Sequence, residues 1–279
     1  MTGCARRWSP KPELNYKLNV KPRPSVSAVS YLNTVPLVWG MLHGEQRELF
    51  DLSFSLPAEC ASDLAEGRVS IGLVPCIELA RQPLRVIPGA GIACHGAVRS
   101  ILLVSKVPFA QIETLAVDSS SRTSVMLTRI VLEKKYGIQP EFHSHPPNLP
   151  AMLDHADACL IIGDPALHLD PATLPFHVMD LGAEWFELTG LPMVFAVWAS
   201  RTDVPPGPFM DSLRFGKSHI DEIVDLEYKR RGITRELAHD YLTRVIVFEL
   251  GAKEYQGMAL FLEYAAAFRN RMDTRTVIA

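Results

Sequence analysis

From residue 25 onward, short runs of alternating or continuous apolar residues are followed by stretches with helical spacing. "SVSAVS" (25–30) and "FDLSFSL" (50–56) alternate as strands, and "VSIGLVP" (69–75) is apolar enough to be buried on both faces. "VPLVWGMLHG" reads as a helix stopped by Gly44, and "PAECASDLAEG" as a short helix ending at Gly67. After "CIELARQ" come "LRVIPGAGIACHG" and then "AVRSILLVSK", a further strand.

A second set follows. "TLAVD" predicts a strand, "SSSRTSVMLTRIVLEKKYG" an amphipathic helix closed by Gly137, and "PEFHSHPP" an extended piece. "LPAMLDHA" predicts a short helix, "ACLIIGD" a buried strand, "PALHL" the start of a helix and "MVFAVWASR" an apolar strand. Beyond Pro205-Pro206-Gly207-Pro208 the pattern predicts helix to the end of the chain. Residues 1–24, with prolines, charges and no periodicity, read as an extended, poorly ordered leader.

Strands alternating with helices predict an α/β protein with sheets covered on both faces. The two sets predict two lobes: residues 25–108 with 198–279, ending in helices, and residues 109–197. Connections near 105–112 and 195–200 would then act as hinges. That plan places a central cleft between two mixed, mainly parallel sheets. Ligands favour the crevice beyond the carboxyl ends of such strands.

Five strand-to-helix junctions share a chemistry: "VSYLNTVP", "SLPAECA", "GLVPCIE", "AVDSSSRTS" and "LIIGDPAL". A helix start offers free N–H groups and a partial positive charge, so several together suit a small dicarboxylate. Ser, Thr, Asn and Asp are also the ordinary N-caps, and Asp164 before Pro165 is a good example. The polar run at 118–124 exceeds what one cap uses, which leaves Ser119, Ser120, Ser121, Thr123 and Ser124 open equally to capping and to a ligand.

Composition narrows the function. The chain has 279 residues, 48% hydrophobic and 21% charged, enough for a sizeable core. With 28 basic and 31 acidic residues it carries no footprint for nucleic acid. No apolar run is long enough to span a membrane, and no apolar stretch follows the basic residues of the leader as a secretory signal requires. The five cysteines are scattered without CxxC spacing, as expected of reduced thiols in a cytoplasmic protein. His143 and His145 lack a third metal ligand at a recognisable spacing. His95, beside Gly96, sits where it could face the cleft. Glycine-rich phosphate motifs are absent, and neither a metal nor a cofactor is expected.

The segments "VSYLNTVPL", "LPAECASDLAEGRVSIGLVPCIE", "GAVRSILLVSK", "LAVDSSSRTSVMLTRIVLEKKYG", "CLIIGDPAL" and "LTGLPMVFAVWASR" resemble the chorismate dehydratases of menaquinone biosynthesis by the futalosine route. The resemblance runs from about residue 26 to 270. It implies a two-lobed fold like the type 2 periplasmic binding proteins, here cytoplasmic and catalytic, and the loss of water from chorismate to give 3-(1-carboxyvinyloxy)benzoate. By the same resemblance Asn33, with Thr34, holds the ring end and positions or polarises the reacting groups, while Ser30 and Tyr31 line that wall. Cys60 and, across the cleft, Ser121, Arg122, Thr123 and Ser124 take carboxylate oxygens, and Gly163 and Asp164 complete the substrate-binding set. An internal ion pair is the equal alternative for Arg122.

The base is left open between the substrate's own side-chain carboxylate and a protein group, Asp164, Glu59 or His95. The sister enzyme of the pathway, acting on cyclic dehypoxanthine futalosine, has a histidine base where this chain has Gly163, which argues against that activity. The remaining rivals are a carboxylate-binding protein of the same fold and the effector-binding half of a transcription regulator. The sequence is silent on oligomeric state.

Overall fold

The computed structural model describes residues 23–118 and 120–278. The leader expected over 1–24 lies outside them apart from its last two residues. So does Ser119.

The chain starts in one sheet. Strand β1 (Ser25–Val29) hands over through a single 3-10 turn (Leu32–Thr34) to α1 (Val35–His43). β2 (Asp51–Ser55), α2 (Pro57–Ala65), β3 (Ile71–Pro75) and β4 (Arg85–Cys94) follow. It then crosses to the second sheet. There it forms β5 (Ile101–Ser105), β6 (Thr114–Val117), α3 (Arg122–Tyr136), β7 (Glu141–Ser144), α4 (Leu149–His155) and β8 (Ala158–Ile162). The one-turn α5 (Asp164–Leu167), β9 (His177–Asp180) and α6 (Leu181–Thr189) complete that half. β10 (Met193–Ser200) returns to the first sheet, which α7 (Gly207–Ser218), α8 (Ile220–Arg230), α9 (Arg235–Asp240), β11 (Ile246–Glu249) and α10 (Ala252–Ile278) complete.

The first sheet has the order β11-β4-β10-β3-β1-β2 and the second β7-β6-β8-β5-β9. Parallel pairs unite β1 with β2 and β3, and β6 with β7 and β8. β10 runs antiparallel to β3 and β4, and β5 antiparallel to β8 and β9, so both sheets are mixed. β3, β5, β8 and β10 are buried along their whole length, which is why their sequences read as continuous apolar runs. Trp185, Trp198, Tyr241, Phe209 and Phe261 are the largest fully buried side chains.

The chain changes sheets earlier than the expected connections near 105–112 and 195–200. It does so between Cys94 and Ile101, and between Thr189 and Met193. β5 belongs to the second sheet and β10 to the first, because each pairs along its full length there. Asp180 holds the outgoing crossing. Its carboxylate accepts from the backbone N–H groups of Val98 (2.9 Å) and Arg99 (2.7 Å) and from Gly182 and Ala183 at the start of α6. Arg99 takes a left-handed conformation (φ 65°), and its guanidinium reaches the Ala166 carbonyl at 3.0 Å.

The C-terminal part is not helical throughout. A π-helical turn at Tyr241–Val245 leads into β11, which pairs with the edge of β4, and a break at His219 separates α7 from α8.

Candidate active site

The carboxyl ends of β1, β3 and β8 and the start of α3 meet around a cavity of about 560 Å³, counting its open mouth. Val29, Tyr31, Asn33, Pro57 and Pro75 come from one sheet's junctions, with Ile92, Phe195 and Ala196 from its strands. Ser121, Thr123, Ser124, Ile162 and Gly163 face them from the other, and Val98, Ser100 and Ile101 from the outgoing crossing. The lining holds no carboxylate, histidine, lysine, arginine or cysteine among the described residues.

Asn33 is almost fully buried. Its Nδ2 donates to Tyr241 Oη at 2.9 Å, and Tyr241 donates to Ser100 Oγ at 2.8 Å. The Tyr241 hydroxyl is fully buried, and burial raises its pKa, so it stays a neutral donor. The polarity of the chain is therefore fixed. Ser100 Oγ accepts from Tyr241, which leaves its own proton for another acceptor. Asn33 Oδ1 is buried with no partner among the described residues, an unsatisfied acceptor whose desolvation costs about 1–3 kcal/mol.

Ser121 stands at the N-cap of α3, yet its side chain makes no capping bond. Ser121, Thr123 and Ser124 are all buried around the first turn of this 15-residue helix, whose leading N–H groups have no partners within the helix. Thr123 Oγ1 accepts from the Ile77 N–H at 3.3 Å, a link across the two halves. Tyr31 is partly buried. Burial and the nearby Asp118 push its phenol up to about 12, so it lines the wall as a neutral hydroxyl.

Gly163 has φ 64°, and a Cβ there would lie 2.7 Å from Cζ of Tyr31. The ring fills the space that any side chain at 163 would need.

The other expected residues lie elsewhere. Cys60 is completely buried, its Sγ directed at the carbonyls of Ser27 and Leu73 (both 3.2 Å), and burial raises its pKa to about 11. It packs α2 onto β1 and β3 and does not line the cavity. Ser30 is exposed and gives its carbonyl to Arg231. Thr34 is wholly buried behind the lining, with Oγ1 unpartnered.

Of the two readings open for Arg122, the ion pair is present. It reaches Glu78 at 3.0 Å, and Glu78 is 1% exposed. Asp164 gives Oδ1 to the Leu32 N–H at 3.0 Å and Oδ2 to Arg231, so both oxygens bind the other half of the molecule. Glu59 caps the Leu56 N–H at 3.1 Å and His95 pairs with Glu254 at 2.5 Å. Neither lines the cavity. No group of three His, Cys, Asp or Glu able to hold a metal is found among the described residues.

Ser100 and Tyr241 were not anticipated. Ser100 lies inside a predicted strand, and Tyr241 in a segment whose π-helical turn leaves no sequence signature.

With this geometry in place, likeness to known proteins is informative. The family described as menaquinone biosynthesis matches residues 24–267. This chain belongs to that family. A chorismate dehydratase of Thermus thermophilus is 30% identical over 234 residues, 76% of this chain and 84% of its own length. One of Campylobacter jejuni is 27% identical over 252 residues, 86% of this chain and 96% of its own.

Among solved structures, a protein of Archaeoglobus fulgidus superposes with TM-score 0.72 at 18% identity, covering 88% of this chain and 97% of that one. The periplasmic aliphatic sulphonate binding protein of Escherichia coli superposes with TM-score 0.58 at 15% identity, covering 90% and 88%. The fold is that of the periplasmic binding proteins. No helix among the described residues is long and apolar enough to cross a membrane.

Proposed function

We propose that this protein is a chorismate dehydratase, a hydro-lyase that converts chorismate to 3-(1-carboxyvinyloxy)benzoate. The observation that carries the reading is a cavity between the two sheets of a menaquinone-family chain, lined among the described residues by no cationic side chain, with Asn33 Oδ1 buried and unpartnered among them. Chorismate brings two carboxylates and one ring hydroxyl. Neutral donors suit the carboxylates: the Ser100, Ser121 and Ser124 hydroxyls and the leading amides of α3. The ring hydroxyl suits Asn33 Oδ1.

The chemistry asks little of the protein. A ring proton leaves, its bonding pair forms the new double bond, and the adjacent C–O bond breaks with its electrons on oxygen. Proton and hydroxide combine as water. The ring becomes aromatic and nothing is oxidised or reduced, so the step calls for no redox cofactor. The site's tasks are to fix the reacting geometry, exclude bulk water and stabilise charge as hydroxide departs.

A base drawn from the protein is not at hand, since Asp164, Glu59 and His95 are engaged outside the cavity. That favours the substrate's side-chain carboxylate as the group that takes the proton and hands it to the leaving hydroxide. Against the sister activity stands Gly163, whose place under the Tyr31 ring leaves no room for a histidine. A cytoplasmic setting accords with Cys60, Cys76, Cys94 and Cys159, all free and buried.

Incubation of the purified protein with chorismate, followed by proton NMR, tests the reading. Stoichiometric conversion of the cyclohexadiene signals to aromatic ones is expected. Binding without conversion would instead identify a carboxylate-binding protein.

A further inference from the structure

On the opposite face of α3 from the cavity lies a second concavity, of about 960 Å³ with its open side. Four guanidinium groups border it: Arg81, Arg122, Arg129 and Arg269. Arg122 and Arg81 share one buried carboxylate, Glu78, at 3.0 and 3.5 Å, and Arg269 donates to the Ala80 carbonyl at 3.4 Å. Arg129 lies 3.6 Å above the Phe142 ring and has no carboxylate partner among the described residues. Burial pulls its pKa down, with no acidic group among the described residues raising it. Among the described residues bordering the groove, four guanidinium groups meet the single carboxylate of Glu78, which leaves a positive rim above an apolar floor of Val125, Met126 and Phe142.

An uncompensated, half-buried guanidinium is costly unless something anionic completes it. The chain's own remaining segments are poorly suited. Residues 1–22 carry one acid, Glu13, against Arg6, Arg7, Lys11, Lys17 and Lys21, and residues 270–279 carry Asp273 against Arg271 and Arg275. A planar carboxylate matches the guanidinium fork, and an aromatic ring matches a floor of Phe, Met and Val.

We propose that this groove is a binding site for a small aromatic carboxylate, its charge held by Arg129 and its ring laid on Val125 and Met126, beside the Phe142 ring on which Arg129 rests. The groove takes Arg81 and Arg269 from one half of the molecule and Arg122 and Arg129 from the other. A bound anion would therefore tie the halves together behind the helix whose first turn faces the cavity. The dehydration proposed above yields a compound of this class; the groove's chemistry is the same whether or not that reaction belongs to this chain.

Titration calorimetry of the full chain with benzoate tests this, using wild type, Arg129→Gln, Arg129→Lys and Ser124→Ala, with benzamide as the uncharged probe. Wild type and Ser124→Ala are expected to bind benzoate alike and to lose affinity as salt rises. Arg129→Gln should bind about tenfold more weakly and Arg129→Lys in between, as expected for loss of a charge-assisted contact, while benzamide gives no heat. Lysine preserves the charge, so its partial binding separates loss of the site from loss of folding. No binding of benzoate, equal binding by Arg129→Gln, or weakening by Ser124→Ala in its place would overturn the proposal. Inorganic phosphate binding as tightly as benzoate would overturn its aromatic part.

Discussion

At the scale of single residues, the site depends on groups that are neutral and held from behind. Tyr241 touches no cavity space of its own, yet it fixes which way the Asn33 amide faces and which way the Ser100 proton points. In Tyr241→Phe the Asn33 N–H is left unpaired. We expect kcat to fall roughly ten- to a hundredfold with KM changed by less than about threefold, the signature of lost transition-state alignment. Steady-state kinetics with chorismate read both constants.

Gly163→Ala puts a methyl group against the Tyr31 ring in a left-handed conformation, and should cost about 1–3 kcal/mol in urea unfolding. Asn33, Tyr31, Ser121, Thr123 and Ser124 stood out in the sequence because polar residues crowded a strand-to-helix handover beyond what capping uses, whereas Gly163 was named only through the family resemblance. Cys60 and Asp164 misled for the same reason. A thiol bonded to two backbone carbonyls and a carboxylate bonded across the molecule both occupy helix starts, and only the fold shows where their side chains go.

Between elements, side-chain hydrogen bonds keep the junctions in place. Asp157 joins β6 to the start of β8 by accepting from the Glu113 and Thr114 N–H groups (3.1 and 2.9 Å) and the Thr114 hydroxyl (2.9 Å). The Thr114 N–H is the largest cause of its carboxyl being held below the usual carboxylate range. A depressed folded pKa gives stability that is complete above the unfolded value, about 3.9, and is lost as pH falls through the folded value. Asp157→Asn should therefore be less stable at neutral pH and show a shallower loss of stability below about pH 4, read by denaturant titrations across that range.

The strong periodic elements were visible from the sequence. α3 ends at Gly137 in the left-handed conformation its glycine predicts, and β8 is as buried as its apolar run requires. β9, α6 and β11 were not. β9 and β11 are four-residue edge strands whose pairing is decided by distant partners, β5 and β4, and local pattern carries none of that information.

For the whole molecule, the two halves are fastened at several points around the cavity. Arg231 on one half binds Asp164 of the other, and also holds Glu227 at 2.7 Å and the Ser30 carbonyl at 2.9 Å. Arg122 reaches across to Glu78 in the same manner. Arg231→Met would strand two carboxylates, and removing one partner of a buried pair costs about 3–5 kcal/mol. Hydrogen exchange should speed up at the Leu32 amide and around 163–167 ahead of the strand cores. Uniform protection in the variant would mean these contacts do not govern opening.

The two-lobed plan was legible because alternating strand and helix patterns repeat. The crossing points were not, since β5 and β10 read as ordinary apolar strands and nothing local says to which sheet they belong.

The central proposal is that a cavity with no ionisable side chain among its described lining residues, apart from the neutral Tyr31, dehydrates chorismate by using the substrate's carboxylate as base. Its most direct test is the single-turnover rate with chorismate, followed by proton NMR, in wild type and in a variant carrying Glu59→Gln and His95→Gln together. Asp164 is left intact because it fastens the halves. Aromatic product at rates within about threefold of each other is predicted, since neither side chain reaches the reacting atoms. Loss of about a thousandfold in the variant with chorismate binding retained, or no aromatic product from wild type, would contradict it.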